Sequence, residues 1–588
     1  MELAAGFTSI SRDDWRALAA EVLRRSWAGA GAPEEALCRT TYDGVKIAPL
    51  YDVDDLPGDA GSPGAAPYVR GSRAAAGWDV RQRHAVADPE AVLTDLENGA
   101  TSLWLVVGDG AIPVGELGTV LKDVYLDLAP VVLEAGERSR EAAEVLFGLA
   151  ADRGTAPIGN LGASCLRGPG GLGLALRCAA DFPGLRAVTV DATPYHDAGA
   201  ADAEELACSI ALGVAELRAL TGGGLSTARA LGQLEFRYAA TADQFATVAK
   251  LRAARRLWAR VAEVCGAPEA GGQLQHAVTS SAMMTARDPW VNMLRTTLAC
   301  FAAGVGGADA VTVQPFDACL GLPDSFSRRI ARNTQSLLLE ESGLGRVIDP
   351  AGGSWYVERR TADLAEASWA LFQVIEAAGG IAEAGDLVAA RIAATRARRE
   401  DDVAHRRLPI TGVSEFPDLA EKPVRRTPAP RGPAAQTPPG ALPGAPPPVR
   451  YAEPFERLRD LADAQPERPT VFLATIGPLS AHTARATFAA NLFQAGGLAT
   501  ETAGPGSDPE QIATAFAVSG AVVACLCSSD RLYDEHAAAV ATALRKAGAR
   551  KVWLAGKGSY EGVDDNLYAG CDALAVLRET FDDLEVTR

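Results

Sequence analysis

The stretch RAVTVDAT (Arg186–Thr193), followed after a short polar loop by AEELACSIALGVAELRALT (Ala203–Thr221), decides the fold class. The first segment is a brief run of β-branched and small apolar residues. The second repeats apolar residues at helical spacing over several turns. A strand that is apolar on both faces, leading into an amphipathic helix, is the unit of a parallel sheet.

Working outward, the same pattern recurs. TSLWLVVG (Thr101–Gly108), APVVLEA (Ala129–Ala135) and GADAVTVQPFD (Gly307–Asp317) read as further buried parallel strands. ADQFATVAKLRAARRLWARVAEVC (Ala242–Cys265) and WVNMLRTTLACFAAGV (Trp290–Val305) read as helices between strands. Alternation over residues 36–400 without a long polar interruption favours one α/β barrel, a (β/α)8 TIM barrel, over two doubly wound sheets. VRRTPAPRGPAAQTPPGALPGAPPPVR (Val424–Arg450) forbids helix and central strand, so residues 401–467 read as a linker, Pro-rich at 424–450. Residues 468–588 form a second α/β unit. TVFLAT, LATETA, GAVVACLC, KVWLAG and ALAVL are its expected strands, at a spacing that suggests a flavodoxin-like doubly wound sheet. Ahead of the barrel, residues 1–35 are a helical arm. Ser11 and Asp14 form its expected N-cap pair, and Trp15, Leu18, Val22 and Leu23 share one face.

A net charge of −18 argues against a nucleic-acid or anionic-membrane surface, since both require clustered Lys and Arg. No apolar run reaches the length that spans a bilayer. The ten cysteines are scattered, and Cys525-Leu526-Cys527 lacks the second pair a metal site needs. A cytoplasmic chain with reduced thiols is the expectation.

Few residues carry chemistry. Tyr195 and His196 follow a barrel strand, where an imidazole could serve as general acid or donate to a carbonyl, or simply be held by backbone contacts in a loop. His276 lies in what reads as a polar loop, again as candidate or structural residue. Arg328, Arg329 and Arg332 could meet phosphates or form an ion-paired helix face. In the second unit, Ala555–Gly558 follow a strand and either admit a ligand close to the backbone or make a tight turn. The segment IGPLSAHTARATFAANLFQAGGLAT (Ile476–Thr500) enters a helix where ligands of doubly wound sheets sit. Its turn residues can hold neither a metal nor a strong charge.

The order of these parts resembles the methylmalonyl-CoA mutase family of adenosylcobalamin enzymes. The phrases that carry the resemblance are PYVRG and GWDVRQ (Pro67–Gln82), YHDAGA (Tyr195–Ala200), TARDPWVNMLRTT (Thr285–Thr297), LPDSFSRRIARNTQ (Leu322–Gln335), ESGLGRVIDPAGGSWYVE (Glu341–Glu358) and LPITGVSEFP (Leu408–Pro417). It implies that the second unit is of the cobalamin-binding type, and that a histidine in an Asp-x-His-x-x-Gly motif would ligate cobalt.

Here Leu479, Ala481 and Ala484 stand at the aspartate, histidine and glycine of that motif. His482 falls one residue late, roughly 100° around a helix entry. Asp530 and Arg531 stand where the nucleotide-tail pocket wants small neutral groups. Ala75 or Ala76 replaces a tyrosine that wedges against the reacting carbons, and Arg167 is the only arginine in a shortened substrate segment. His196 matches the carbonyl-binding histidine, without its partners. The resemblance therefore implies a catalytically silent chain with no metal, no cofactor and only a vestigial His196. Its expected partner is a large subunit that holds adenosylcobalamin and interconverts (R)-methylmalonyl-CoA and succinyl-CoA. An active acyl-CoA mutase binding cobalamin without a protein ligand, and a non-enzymatic CoA-binding module, are the alternatives.

Overall fold

The computed structural model describes residues 10–26, 32–168, 170–428 and 444–586. Eight strands, β1 (Asp79–His84), β2 (Ser102–Val106), β3 (Val131–Glu134), β4 (Gly159–Ala163), β5 (Leu185–Asp191), β6 (Leu234–Ala240), β7 (Gln275–Thr279) and β8 (Ala310–Thr312), follow one another around a closed barrel. Every pairing is parallel, and Ala310 and Val311 of β8 close the ring against Asp79 and Val80 of β1. This is the architecture of a TIM barrel.

Side-chain alternation along the strands separates two environments. Leu103, Leu105, Val131, Leu133, Phe236, Tyr238, Ala277 and Val311 face outward into the main core, against the returning helices. Among these are Asp202–Gly222, Gln244–Val264 and Val291–Val305, at the expected places. Gly213 brings the first of them onto β6, since a Cβ there would stand 2.8 Å from the Trp258 ring and 3.0 Å from that of Phe236. Trp104, Val132 and Val278 belong to a separate apolar cluster inside the barrel.

Strands β1, β4, β6 and β7 lie beyond the expected set. Their inward positions hold Arg81, Arg83, Asn160, Glu235, Arg237 and His276, a polar face buried except at Arg83, which interrupts the apolar pattern by which a parallel strand is recognised. His276 is accordingly corrected from a polar loop to a fully buried position in β7.

The second unit is an all-parallel five-stranded sheet. Its strands are β9 (Thr470–Thr475), β10 (Ala499–Thr502), β11 (Val523–Cys527), β12 (Lys551–Ala555) and β13 (Asp565–Leu567), in the spatial order β10-β9-β11-β12-β13. Both faces are buried: Val471 and Leu473 enter one core, Phe472 and Ala474 another. ALAVL is not the fifth strand. It opens the helix Ala573–Asp583, where the Asp572 side chain accepts from Ala575 N and Leu574, Leu577 and Phe581 are buried at helical spacing.

At the start of the chain, Ser11 and Asp14 cap the helix Arg12–Ser26 reciprocally, by Ser11 N to Asp14 Oδ2 at 2.8 Å and Asp14 N to Ser11 Oγ at 3.2 Å. Leu18 and Val22 are 64% and 63% exposed, while Trp15 and Leu23 on the same face are half-buried. Part of the Pro-rich linker, residues 429–443, lies outside the described residues. No described helix is long and apolar enough to cross a membrane.

Candidate functional site

The interior of the barrel is polar and filled. Arg81 of β1 pairs across the bore with Glu235 of β6, and Asn160 Nδ2 donates to the same carboxylate at 3.2 Å. One layer up, Arg237 Nη1 donates to Asp191 at 2.8 Å and to Glu134 at 3.4 Å. Its guanidinium carbon lies 4.1 Å from the centre of the Trp104 ring. Arg237 Nε donates to His276 Nδ1 at 3.2 Å, which fixes the tautomer: Nε2–H is left to meet the Thr312 hydroxyl at 2.8 Å. Burial, then the charges of Arg81 and Arg237, hold the His276 pKa well below its ordinary value. A neutral, fully engaged imidazole is a structural member, not a proton shuttle.

At the C-terminal ends of the strands, where barrel active sites lie, His196 sits on the short helix Thr193–Asp197. It is buried, with Nε2 2.7 Å from Ser280 Oγ and Nδ1 3.5 Å from Glu205 Oε2. Side chains hold it, rather than loop backbone. Glu205 also accepts from Lys250 Nζ at 2.7 Å and from Ala239 N at 2.9 Å. Burial alone would raise the Glu205 pKa, but Lys250 and His196 outweigh it and hold it low. Ser280, Glu205 and Lys250 lie far apart in sequence, and no local pattern pointed to them. The chain returning from the linker is fastened over this corner. Val449 N donates to Asp197 O at 2.7 Å, and Tyr451 N donates to Ala282 O at 3.0 Å.

In the second unit the equivalent place is the crevice at the carboxyl ends of β9 and β11, where the strand order reverses. The helix Leu479–Ala495 begins there. Leu479 and Ala484 are exposed and Ala481 half-buried, and none offers an atom that could ligate a metal. His482 is 4% exposed, turned into the protein, with a buried Nδ1 lacking any hydrogen-bond partner among the described residues. These residues do not fit a cobalt ligand presented to a corrin. Arg485, from the same helix, fills the crevice: Nη1 donates to Ser528 O at 2.8 Å and Nη2 to Asp530 at 2.6 Å. It also lies against Gly556, where a Cβ would stand 3.2 Å from its guanidinium carbon. The Ala555–Gly558 turn thus admits an arginine of its own chain.

The remaining candidates are dispersed. Arg332 is buried in an ion pair with Asp95, and Arg328 Nη1 reaches Pro323 O at 3.3 Å. Arg329 is exposed, 5.6 Å from the Phe326 ring. Arg167 is exposed on the loop after β4. Ala75 and Ala76 line a depression with Asp309 and Asp349, at the opposite end of the barrel from His196.

Comparison with known proteins adds a consistent set of likenesses. The family model described as methylmalonyl-CoA mutase matches residues 174–432. The methylmalonyl-CoA mutase small subunit of Streptomyces virginiae is 56% identical, over 100% of this chain and 98% of its own length. That of Propionibacterium freudenreichii subsp. shermanii is 38% identical, over 100% and 97%. A methylmalonyl-CoA mutase of Cereibacter sphaeroides is 30% identical, over 70% of this chain and 65% of its own.

Proposed function

Because the chain belongs to the methylmalonyl-CoA mutase family, and its full-length relatives are named small subunits, we propose that it is the small, catalytically silent subunit of a heterodimeric mutase. Its partner is a large subunit that holds adenosylcobalamin and isomerises (R)-methylmalonyl-CoA and succinyl-CoA. Adenosylcobalamin supplies radical chemistry when bound, and among the described residues Leu479, Ala481 and Ala484 offer no atom to ligate its cobalt.

The observation that carries the reading is the filled bore. An extended acyl-CoA would have to displace the desolvated Arg81–Glu235 pair and the Arg237 guanidinium, which lies over the Trp104 ring and is held by Asp191 and Glu134. Two buried charges attract strongly only while each keeps its partner, so an entering chain would have to separate or relocate them at a cost.

The crevice in the second unit supports the same conclusion independently. Its strand order, second-first-third-fourth-fifth, is that of flavodoxin-like sheets. We read it as a cobalamin-binding-type domain whose ligand position holds Ala481 and whose ligand space holds Arg485.

What remains is scaffold: two cores that bury apolar surface without a cofactor, positioned against the large subunit. Gel filtration of the purified chain with adenosylcobalamin tests the silence, and co-expression with the large subunit followed by mass measurement tests the partnership. A one-to-one complex, with no corrin absorption on the isolated chain, is expected. A corrin band travelling with the isolated chain overturns the reading.

A further inference from the structure

The two units of the chain meet at a charged joint. The helix Glu453–Asp463 belongs to the second unit: Phe455, Leu458 and Ala462 enter its core, and a Cβ on Gly497 would stand 2.9 Å from that of Ala462. The charged side chains of this helix meet the loop that follows β7. Glu456 accepts from Ala286 N at 2.6 Å, and Arg287 donates to Asp460 at 2.6 Å and pairs with Asp463 at 2.7 Å. The chain leaving the barrel supplies a third segment, with Glu421. Its carboxylate accepts from Asp288 N at 2.7 Å, from Arg459 Nη2 at 3.0 Å and from Arg287 Nη1 at 3.5 Å. Glu421 thus touches the barrel loop and the helix of the second unit at once. Arg459 depends on it. This side chain is 1% exposed, its Nε and Nη1 have no hydrogen-bond partner among the described residues, and Glu421 is its ion-pair partner. Burial, opposed by Glu421 and reinforced by the neighbouring Arg287 charge, holds the Arg459 pKa below the ordinary arginine value.

We infer that Glu421 is the keystone of a latch that holds the second unit against the barrel in one orientation, so that the chain moves as a single rigid body. Units joined by a linker move relative to each other by default, and a specific contact is needed to remove that freedom. The joint also has an apolar seam, where Val403 and Val413, which precede the linker, enter the core of the second unit. Apolar attraction has no direction, so the seam holds the units together without fixing their angle. The Glu421 carboxylate fixes it, because its oxygens meet donors from both units at hydrogen-bond distance. Without that negative charge the Arg287 and Arg459 guanidiniums share the joint, and Arg459 is left buried and uncompensated. Parting the units is then the direct way for that charge to regain water. The latch requires neither cobalamin nor the large subunit, so it stands independently of the silence proposed above.

Scanning calorimetry and hydrogen exchange on the full chain test it. Wild type is expected to unfold in one cooperative transition, with the amides of residues 284–288 protected. Glu421→Gln keeps the size of the side chain and an acceptor for Asp288 N, and removes the charge. It is expected to speed exchange in that loop at least about tenfold and to separate the melting of the second unit from that of the barrel. Adding Arg459→Met removes the stranded cation as well, and is expected to restore the single transition and most of the protection. Separate transitions in wild type overturn the latch, as does a Glu421→Gln variant that behaves like wild type. A double variant as open as Glu421→Gln overturns it too, since charge then plays no part. Should Glu421→Gln fail to fold, Arg287→Gln, which withdraws the other cation that Glu421 binds, decides, and a single transition with unchanged exchange there overturns the proposal equally.

Discussion

Arg81 and Glu235 face each other across the inside of the barrel, from β1 and β6, as a hydrogen-bonded ion pair with both side chains almost wholly buried. Such a pair is held by its geometry, since two charges removed from water attract strongly only when each has its partner. Glu235→Ala leaves the Arg81 guanidinium uncompensated, and is expected to cost about 3–5 kcal/mol. The double variant Arg81→Met, Glu235→Leu removes both charges and is expected to recover most of that loss. Urea unfolding followed by circular dichroism checks both. A Glu235→Ala midpoint equal to wild type would mean that the bore is wet and the pair dispensable.

A second buried cluster makes stability depend on pH in an unusual direction. Burial, then the neighbouring Asp202 charge, pushes the Asp43 carboxyl from 3.8 up to about 7, although it accepts from Ala203 N at 2.8 Å. Glu204 adds to the rise and Lys250 opposes it. A carboxyl that holds its proton more tightly when folded favours the native state below its unfolded pKa. That advantage fades as pH climbs toward the folded value. Asp43→Asn keeps an acceptor for Ala203 N and removes the titration. It is expected to stabilise the chain at pH 8 by about 1–3 kcal/mol, after allowance for solvent screening, and to make little difference at pH 4. Thermal melts at the two pH values measure the gap, and a gap that widens toward pH 4 contradicts the assignment.

His196 tests the proposed silence directly. Its ring bridges Ser280 and Glu205, so His196→Ala is expected to lower the melting temperature, at a cost of about 1–3 kcal/mol for the abandoned buried partners. In the proposed heterodimer, turnover is expected to stay within about twofold of wild type. Activity assays on the complex, beside a mass measurement showing that it still assembles, separate the two effects. Loss of turnover in an intact complex would make this histidine catalytic.

These residues also show what one sequence can disclose. β2, β3, β5 and β8 were legible because their β-branched runs are apolar on both faces. DVRQRH and LEFRYAA were not, because a charge at alternate positions reads as a solvated edge until the barrel closes and pairs it. ALAVL was misread because five apolar residues fit a strand or a buried helical turn equally well, and Asp572 capping decides between them. His196 and Ala481 were legible as single positions. Ser280, Glu205, Lys250 and Arg485 were not, because their roles arise from contacts between elements far apart in the chain.

The last prediction concerns whether restoring the missing ligand restores the site. Leu479→Asp with Ala481→His would return an imidazole and its orienting carboxylate to the first turn of the helix Leu479–Ala495. Arg485 still occupies the crevice, held by Ser528 O at 2.8 Å and Asp530 at 2.6 Å, with its guanidinium carbon 5.0 Å over the Tyr533 ring. A corrin would have to break those contacts and leave Asp530 facing the ligand. The double variant is therefore expected to carry no corrin absorption through gel filtration. Adding Arg485→Ala removes the obstruction at a cost of about 1 kcal/mol, since this arginine is partly exposed. The triple variant is expected to retain a measurable band. If the double variant alone binds as well as the triple, loss of the ligand was the whole of the change and Arg485 is a bystander. If neither binds, the crevice has closed beyond these three residues.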